Sequence, residues 1–350
     1  MRSSIFTLSA LPALYGLFSS ATATSSAKRG LVFTPNASHP QDNYIWALSP
    51  SDLTWYYNYG YSPSPAFSNV TQDAFEFVPM LWGAPSDTSD TTFLDAVKSL
   101  ISGGTNISHV LAFNEPDGST QNGGSNVDPT VAAKVWVSNI IPLQKQGVKV
   151  GLPACTGGTE AIPWLNQMLA NCSELISTSD KTANCTYDFI PLHWYGNFEG
   201  LASHIGTYAA AYGISVAFPV FPPARPNANL DSFPNASLWI TEYNLDNQDL
   251  ASSQSFYNTS AEYLDRLAYI ERYSYFGAFR ASASNVGPNA AMLSAGGKLT
   301  DIGAWYLGEE ATGVSPTSTS SSAASRSWNG HSFGWDMLVT TLSVLLVTCC

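Results

Sequence analysis

Basic residues are scarce in this chain: 14 Lys and Arg face 26 Asp and Glu across 350 residues, leaving a net charge of −12. A surface so poor in positive charge has little with which to neutralise a polyphosphate, so nucleic acid is not an expected partner. Cysteine is limited to five residues, and none stands at a metal-binding spacing from another Cys or a His, so no metal is expected. No glycine-rich dinucleotide or phosphate-binding fingerprint follows any strand-like run, and no cofactor is expected. The Gly-Gly pairs that begin at Gly103, Gly123, Gly157 and Gly296 read as turns. Long apolar runs are missing except near the two ends.

Those ends read as processing signals. Arg2 opens a stretch whose apolar run at 8–18 precedes the small-residue site Ala21-Thr22-Ala23. This is the layout of a secretory signal peptide over 1–23, too short and interrupted for a spanning helix. A buried N-terminal helix is the alternative. Lys28-Arg29 offers a further dibasic trimming site. A Ser/Thr-rich stalk at 313–327 leads to a 328–350 segment whose apolar run stops at the terminus. That pattern predicts a GPI-anchor signal with Ser325 as attachment residue and Asn329 as the alternative; a plain tail anchor is the competitor. The expected contact with a membrane is through the lipid anchor alone. Asn-x-Ser/Thr triplets begin at Asn36, Asn69, Asn106, Asn171, Asn184, Asn235 and Asn258 and suit a glycoprotein in the secretory route. Disulfides persist there. Cys349 and Cys350 would leave with the tail, and Cys172 and Cys185 flank a polar loop they are able to bridge, which leaves Cys155 as a buried free thiol.

What is plentiful is apolar and aromatic: 45% of residues are hydrophobic and 13% are Phe, Trp or Tyr, enough for a large core and for gripping neutral, stackable ligands such as sugars. Eight short β-rich runs recur at 30–33, 54–59, 75–82, 109–113, 148–153, 189–195, 238–243 and 273–279. Between them, helices are predicted at 92–101, 128–146, 162–169, 201–212, 255–271 and 301–307. The second of these is capped by Asp128, carries Pro129 in its first turn, stops at Gly147 and should kink at Pro142. Strand–helix alternation on this scale predicts an α/β chain folded as a single (β/α)8 TIM barrel domain over 30–312, expected to act as a monomer. An open doubly wound sheet is the runner-up.

In such a barrel the working face lies at the C-terminal ends of the strands. Two runs end there in a carboxylate: Asn114-Glu115-Pro116-Asp117 after the fourth, and Thr241-Glu242-Tyr243-Asn244 in the seventh. Burying either Glu is costly without a task or a partner. Cleaving an acetal needs one carboxyl group to protonate the leaving oxygen and a second to attack or stabilise the anomeric carbon. A separation of about 5–5.5 Å implies retention of configuration, and a wider gap implies inversion. The competing reading is a pair of strand-end ion pairs with Lys or Arg. Arg280, after the eighth run, either lines the cleft or forms an ion pair.

Five motifs carry a resemblance. Trp55-Tyr-Tyr-Asn-Tyr, Pro79-Met-Leu-Trp-Gly, Leu111-Ala-Phe-Asn-Glu-Pro-Asp, His193-Trp-Tyr-Gly and Trp239-Ile-Thr-Glu-Tyr-Asn stand in this order and resemble the strand motifs of glycoside hydrolase family 128, a clan A family of retaining enzymes. Its fungal members include alkali-sensitive-linkage-type cell-wall proteins. The resemblance implies β-1,3-glucan as the polysaccharide partner, Glu115 as acid/base and Glu242 as nucleophile. It further implies that His193 or Tyr195 donates to Glu242 or to a sugar hydroxyl, and that Asn114 holds the hydroxyl beside the reacting carbon. Trp82, Tyr57, Asn58 and Trp194, at or near strand ends, are expected to bind substrate by stacking and hydrogen bonding. Taken singly, His193 reads more often as a core histidine and each Trp as core. The chain departs from the family pattern at Tyr59, where Trp is common, and in the long insertion between Cys172 and Cys185. The expected activity is that of a secreted cell-surface endo-β-1,3-glucanase. A transglycosylase or a non-catalytic glucan-binding wall protein are the alternatives.

Overall fold

A computed structural model describes residues 26–48, 50–214 and 236–319. The expected signal peptide, Asn235, Ser325, Asn329 and the C-terminal apolar run lie outside the described residues. Among the described residues eight strands form, all within or overlapping the apolar runs: β1 Gly30–Val32, β2 Trp55–Tyr57, β3 Glu76–Phe77, β4 His109–Val110, β5 Lys149–Val150, β6 Phe189–Tyr195, β7 Ser237–Asn244 and β8 Ile270–Tyr275. They pair in parallel as β1-β2-β3, β4-β5 and β6-β7-β8. Single parallel bridges carry the succession across the gaps: Met80 to Leu111, Gly151 to Phe189, Cys155 to Leu192, and Arg29, just before β1, to Tyr273 in β8. The order thus returns to its start.

Helices cover the outside: α1 Thr92–Ser102, α2 Pro129–Val135, α3 Ile141–Gln144, α4 Ala161–Ile176, α5 Phe198–Ala211, α6 Leu250–Arg266 and α7 Asp301–Tyr306. Among the described residues the connections after β1 and β2 hold only 3-10 turns, Pro40–Ala47 and Pro65–Phe67, because each begins on a proline in an Asn- and Ser-containing stretch poor in helix formers. Asp128 caps α2 as its sequence predicts, accepting the Thr130 N–H at 2.8 Å. The disturbance expected at Pro142 takes the form of a π-turn, Trp136–Ile140, between α2 and α3, where the wider turn accommodates a proline that has no N–H to give. Two helix boundaries differ from the reading of the sequence. α4 runs on to Ile176, which puts Asn171 and Cys172 inside a helix rather than at a loop edge. α6 starts five residues early because Asp249 caps it, its carboxylate accepting the Ser252 N–H at 2.9 Å; the residues after Arg266 are released to β8.

Alternation along the strands divides the core. Leu31, Tyr56, Phe77, Ile190 and Ile240 face the helices, while Val32, Trp55, Tyr57, Met80, Phe189 and Trp239 form a second cluster on the opposite, inner face. Phe189 stacks on Trp239 at 4.0 Å and Trp55 lies 5.1 Å from the same ring. Below them, at the N-terminal ends of the strands, the Arg272 guanidinium sits 4.4 Å from the Trp239 ring and 2.6 Å from Glu76, whose other oxygen is 3.0 Å from His109 Nδ1. Burial alone would raise the Glu76 pKa, but hydrogen bonds from His109 and Ser108 and the Arg272 charge pull it down to about 2.

Candidate active site

Glu242 reaches the inner face through a register break. Leu192 pairs with Ile240 and His193 with Glu242, so Thr241 is an extra residue on β7. Strict alternation from Trp239 would turn Thr241 inward and Glu242 toward the helices. The bulge reverses this and sets Glu242 beside His193. Glu115 arrives differently. It follows β4 in a left-handed backbone conformation, φ 41°, with its N–H donated to Ala154 O at 2.7 Å. A non-glycine residue there is strained and needs support from its surroundings. The next turn is closed by Gly118 N–H on Glu115 O at 2.9 Å, and a Cβ on Gly124 would stand only 2.7 Å from that same oxygen. Asp117 locks the loop by accepting from Thr156 N–H and Oγ1 at 2.9 and 2.7 Å.

The two carboxylates, brought together from distant parts of the chain, meet across one histidine. His193 Nδ1 lies 3.0 Å from Glu115 Oε1 and 3.5 Å from Glu242 Oε2, and one ligand atom from each of the three residues lies within 4.8 Å of the others. The carboxyl spacing is therefore in the short range. Three phenols donate to Glu242: Tyr57 to Oε1 at 3.2 Å, Tyr59 to Oε1 at 2.6 Å and Tyr195 to Oε2 at 2.6 Å. Burial and then the Glu242 charge push all three hydroxyls well above their ordinary pKa, so they remain donors. Burial lowers the His193 pKa, but the neighbouring Glu242 and Glu115 outweigh it and the net direction is upward, toward the charged ring. Glu115, His193 and Glu242 are also close enough to hold a metal ion. Both oxygens of Glu242 already accept hydrogen bonds, so that carboxylate needs no ion to satisfy it.

The remaining expected site residues divide. Asn114, buried next to Glu115, donates its amide to Gly123 O at 3.1 Å and leaves its buried Oδ1 without a partner. Trp82 is 40% exposed and, with Tyr61, Phe93, Asp90, Thr92 and Asn139, lines a cleft of about 280 Å³; its carbonyl accepts the Asn114 N–H at 2.9 Å. Tyr57 is fully buried and spends its hydroxyl on Glu242 and on Thr241 O. Asn58 closes its own turn, accepting from Gly60 N–H and donating to Ser62 O. Trp194 alternates away from His193 and Tyr195. Its N–H donates to Asn197 O, its ring packs on His204, and a Cβ on Gly200 would come within 2.2 Å of it. Arg280 forms a buried ion pair with Asp42, at 2.6 and 2.9 Å. Tyr59, read from the sequence only as a departure from the family pattern, donates to Glu242; it lies beyond β2, and a left-handed backbone, φ 60°, sets its hydroxyl on the same carboxylate oxygen as that of Tyr57.

Cys172 and Cys185 form a disulfide, and Cys155 is a buried free thiol. Of the glycosylation triplets, Asn69, Asn106, Asn184 and Asn258 are exposed. Asn36 and Asn171 are half-buried with their amides donated to Asp42 and Thr130.

Two carboxylates facing each other on parallel strands are consistent with a glycosyl hydrolase core, and residues 30–306 match the family described as glycosyl hydrolase catalytic core. The chain belongs to that family, glycoside hydrolase family 128. It is 28% identical over 292 residues to alkali-sensitive linkage protein 1 of Schizosaccharomyces pombe, covering 81% of this chain and 44% of that protein, so it spans less than half of that relative's length. Three solved structures of the same family share the fold. A curdlan-specific exo-β-1,3-glucanase from Blastomyces gilchristii superposes with a TM-score of 0.57 at 22% identity, over 81% of this chain and 99% of that one. For an endo-β-1,3-glucanase from Pseudomonas viridiflava the values are 0.59, 22%, 83% and 100%. An oligosaccharide-binding protein from Cryptococcus neoformans gives 0.55, 23%, 83% and 97%.

Proposed function

We propose that this chain is a retaining endo-β-1,3-glucanase, with Glu115 as acid/base and Glu242 as nucleophile, built on a closed (β/α)8 barrel. The observation that carries the reading is the approach of Glu115 and Glu242 to within 4.8 Å over His193, near the spacing of about 5–5.5 Å at which a carboxylate attacks the sugar directly. The bridge from Arg29 to Tyr273 supports closure, since an open doubly wound sheet leaves its first and last strands apart.

Glu115 gives its proton to the glycosidic oxygen as that bond breaks, and Glu242 forms the bond to the anomeric carbon. The resulting glycosyl-enzyme is released when Glu115 takes a proton from an incoming water. His193, held against both carboxylates, keeps them in register. Asn114 Oδ1, buried and unpartnered, is available to a sugar hydroxyl, and Trp82 and Tyr61 offer ring faces for a pyranose farther along the cleft. The rival reading is a protein that binds glucan without cutting it; solved structures described as oligosaccharide-binding proteins share this fold. The complete carboxylate pair favours catalysis.

Hydrolysis of linear β-1,3-glucan is expected to release oligosaccharides whose new reducing ends are first formed as the β-anomer, followed by NMR in the first minutes. α-Anomers would exclude direct attack by Glu242, and release of glucose alone would exclude endo action.

We place the protein at the cell surface by proposal: a signal peptide over 1–23, the catalytic domain over 30–312, a stalk over 313–327 and a GPI signal over 328–350 joined at Ser325. Among the described residues no helix is long and apolar enough to cross a membrane. Treatment of intact cells with a phosphatidylinositol-specific phospholipase is expected to release the protein; retention on cells stripped of wall glucan would refute the anchor.

A further inference from the structure

The donors around Glu242 are unevenly shared between its two oxygens. Each carboxylate oxygen offers two lone-pair sites. Oε1 accepts Tyr59 at 2.6 Å and, at 3.2 Å, a share of the single Tyr57 hydrogen that Thr241 O also takes at 3.1 Å. Oε2 accepts Tyr195 at 2.6 Å, while the nearby His193 Nδ1 is committed at 3.0 Å to Glu115 and stands 3.5 Å away. Oε2 therefore keeps a free lone pair and lies on the Glu115 side of the carboxylate. Tyr59 owes its place to a left-handed backbone, φ 60°, two residues beyond Tyr57, and the two rings meet edge to face at 5.2 Å. A bulky residue adopts that conformation only when its surroundings hold it.

From this asymmetry we infer that Oε2 of Glu242 is the attacking oxygen and that Tyr59, with Tyr57, is a positioning residue that clamps Oε1 and governs the second half of the reaction. The inference rests on the nucleophile role of Glu242 proposed above. In the first step Oε2 bonds to the anomeric carbon, and the electron pair of the broken glycosidic bond leaves on the oxygen that takes the Glu115 proton. Oε1 becomes the carbonyl oxygen of an ester and loses its share of negative charge. A hydrogen bond to a charged acceptor is about twice as strong as one to a neutral acceptor, so the Tyr59 bond weakens in the intermediate. When water displaces the carboxylate, the electron pair of the ester bond returns to Glu242 and the bond regains its strength. Tyr59 thus stabilises the leaving carboxylate in the second step and does nothing to promote the first.

The experiment uses the full protein and a dinitrophenyl β-laminarioligoside, whose good leaving group makes the second step rate-limiting. For Tyr59→Phe, kcat should fall roughly tenfold with KM falling in parallel, so that kcat/KM stays within about threefold of wild type. The pre-steady-state burst of dinitrophenol should persist while the steady rate after it slows. A structural role alone, or a direct contact of Tyr59 with the sugar, would instead lower kcat/KM about tenfold, with KM rising while the second step still limits kcat, and either that result or unchanged kcat overturns the inference. Should Tyr59→Phe fail to fold by circular dichroism, Tyr57→Phe removes the other, longer bond to Oε1 and should show the same parallel fall in kcat and KM, about threefold; its absence there counts equally against the inference. Wild-type protein inert toward the substrate is a separate outcome, which removes the enzyme reading itself.

Discussion

Glu242→Gln should lower hydrolysis of β-1,3-glucan by about 10⁴-fold or more, the scale on which removing a covalent nucleophile acts. The amide keeps the volume of the carboxylate, and the Tyr57, Tyr59 and Tyr195 hydroxyls are able to reorient and accept as well as donate, so the fold should survive. Reducing-sugar release from purified linear glucan, set beside a thermal unfolding curve, separates loss of chemistry from loss of structure. Unchanged turnover in a folded variant would remove the mechanism. So would a drop in rate matched by a drop in thermal stability, because the effect would then belong to packing.

The second large effect is expected far from the site. Arg272→Ala strips Glu76 of its cation and the Trp239 ring of the guanidinium that covers it. Stability at neutral pH should fall by about 2 kcal/mol, less than for a fully buried pair because some of each side chain stays exposed. The pH dependence follows from the depressed Glu76 pKa. Folded near 2 and unfolded near the model-carboxylate value of 4.5, this group contributes stability that is complete above about 4.5 and disappears as pH falls through 2. Without Arg272 the folded value moves up and that window shrinks. The stability gap between wild type and variant, measured by denaturant unfolding, should therefore be widest at neutral pH and narrow steadily below about 4.5. A gap that does not change with pH would show that Arg272 acts by packing on Trp55 and Trp239 alone.

How much of this was legible beforehand can be judged residue by residue. The strands at 189–195 and 238–243 announce themselves by length and β-rich composition, and the motifs they carry point to the family. β3 and β4 are harder to bound. Only Glu76–Phe77 and His109–Val110 form regular strand, and of the apolar residues that follow, Val78, Met80 and Leu111 extend the inner face, the last two through an isolated bridge. The start of α6 is not marked by apolar periodicity, because its capping Asp249 lies among polar residues that carry none of their own. Tyr57 and Trp194 show the limit of assigning roles by strand-end position. A strand end places two residues side by side along the chain yet turns them to opposite faces, so His193 meets Glu115 while Trp194 packs beneath α5.

By itself the sequence determined the composition of the molecule: apolar runs short enough for strands, the caps of its best helices, and two carboxylates placed after apolar segments where burial must be compensated. Those properties are local, and local chemistry is what a linear string records. The tertiary structure decided which carboxylate oxygen faces which donor. That choice hangs on one extra residue in β7 and on left-handed turns at Tyr59 and Glu115. Each is a small backbone displacement held in place by contacts between segments far apart in the chain, and no residue signals it alone.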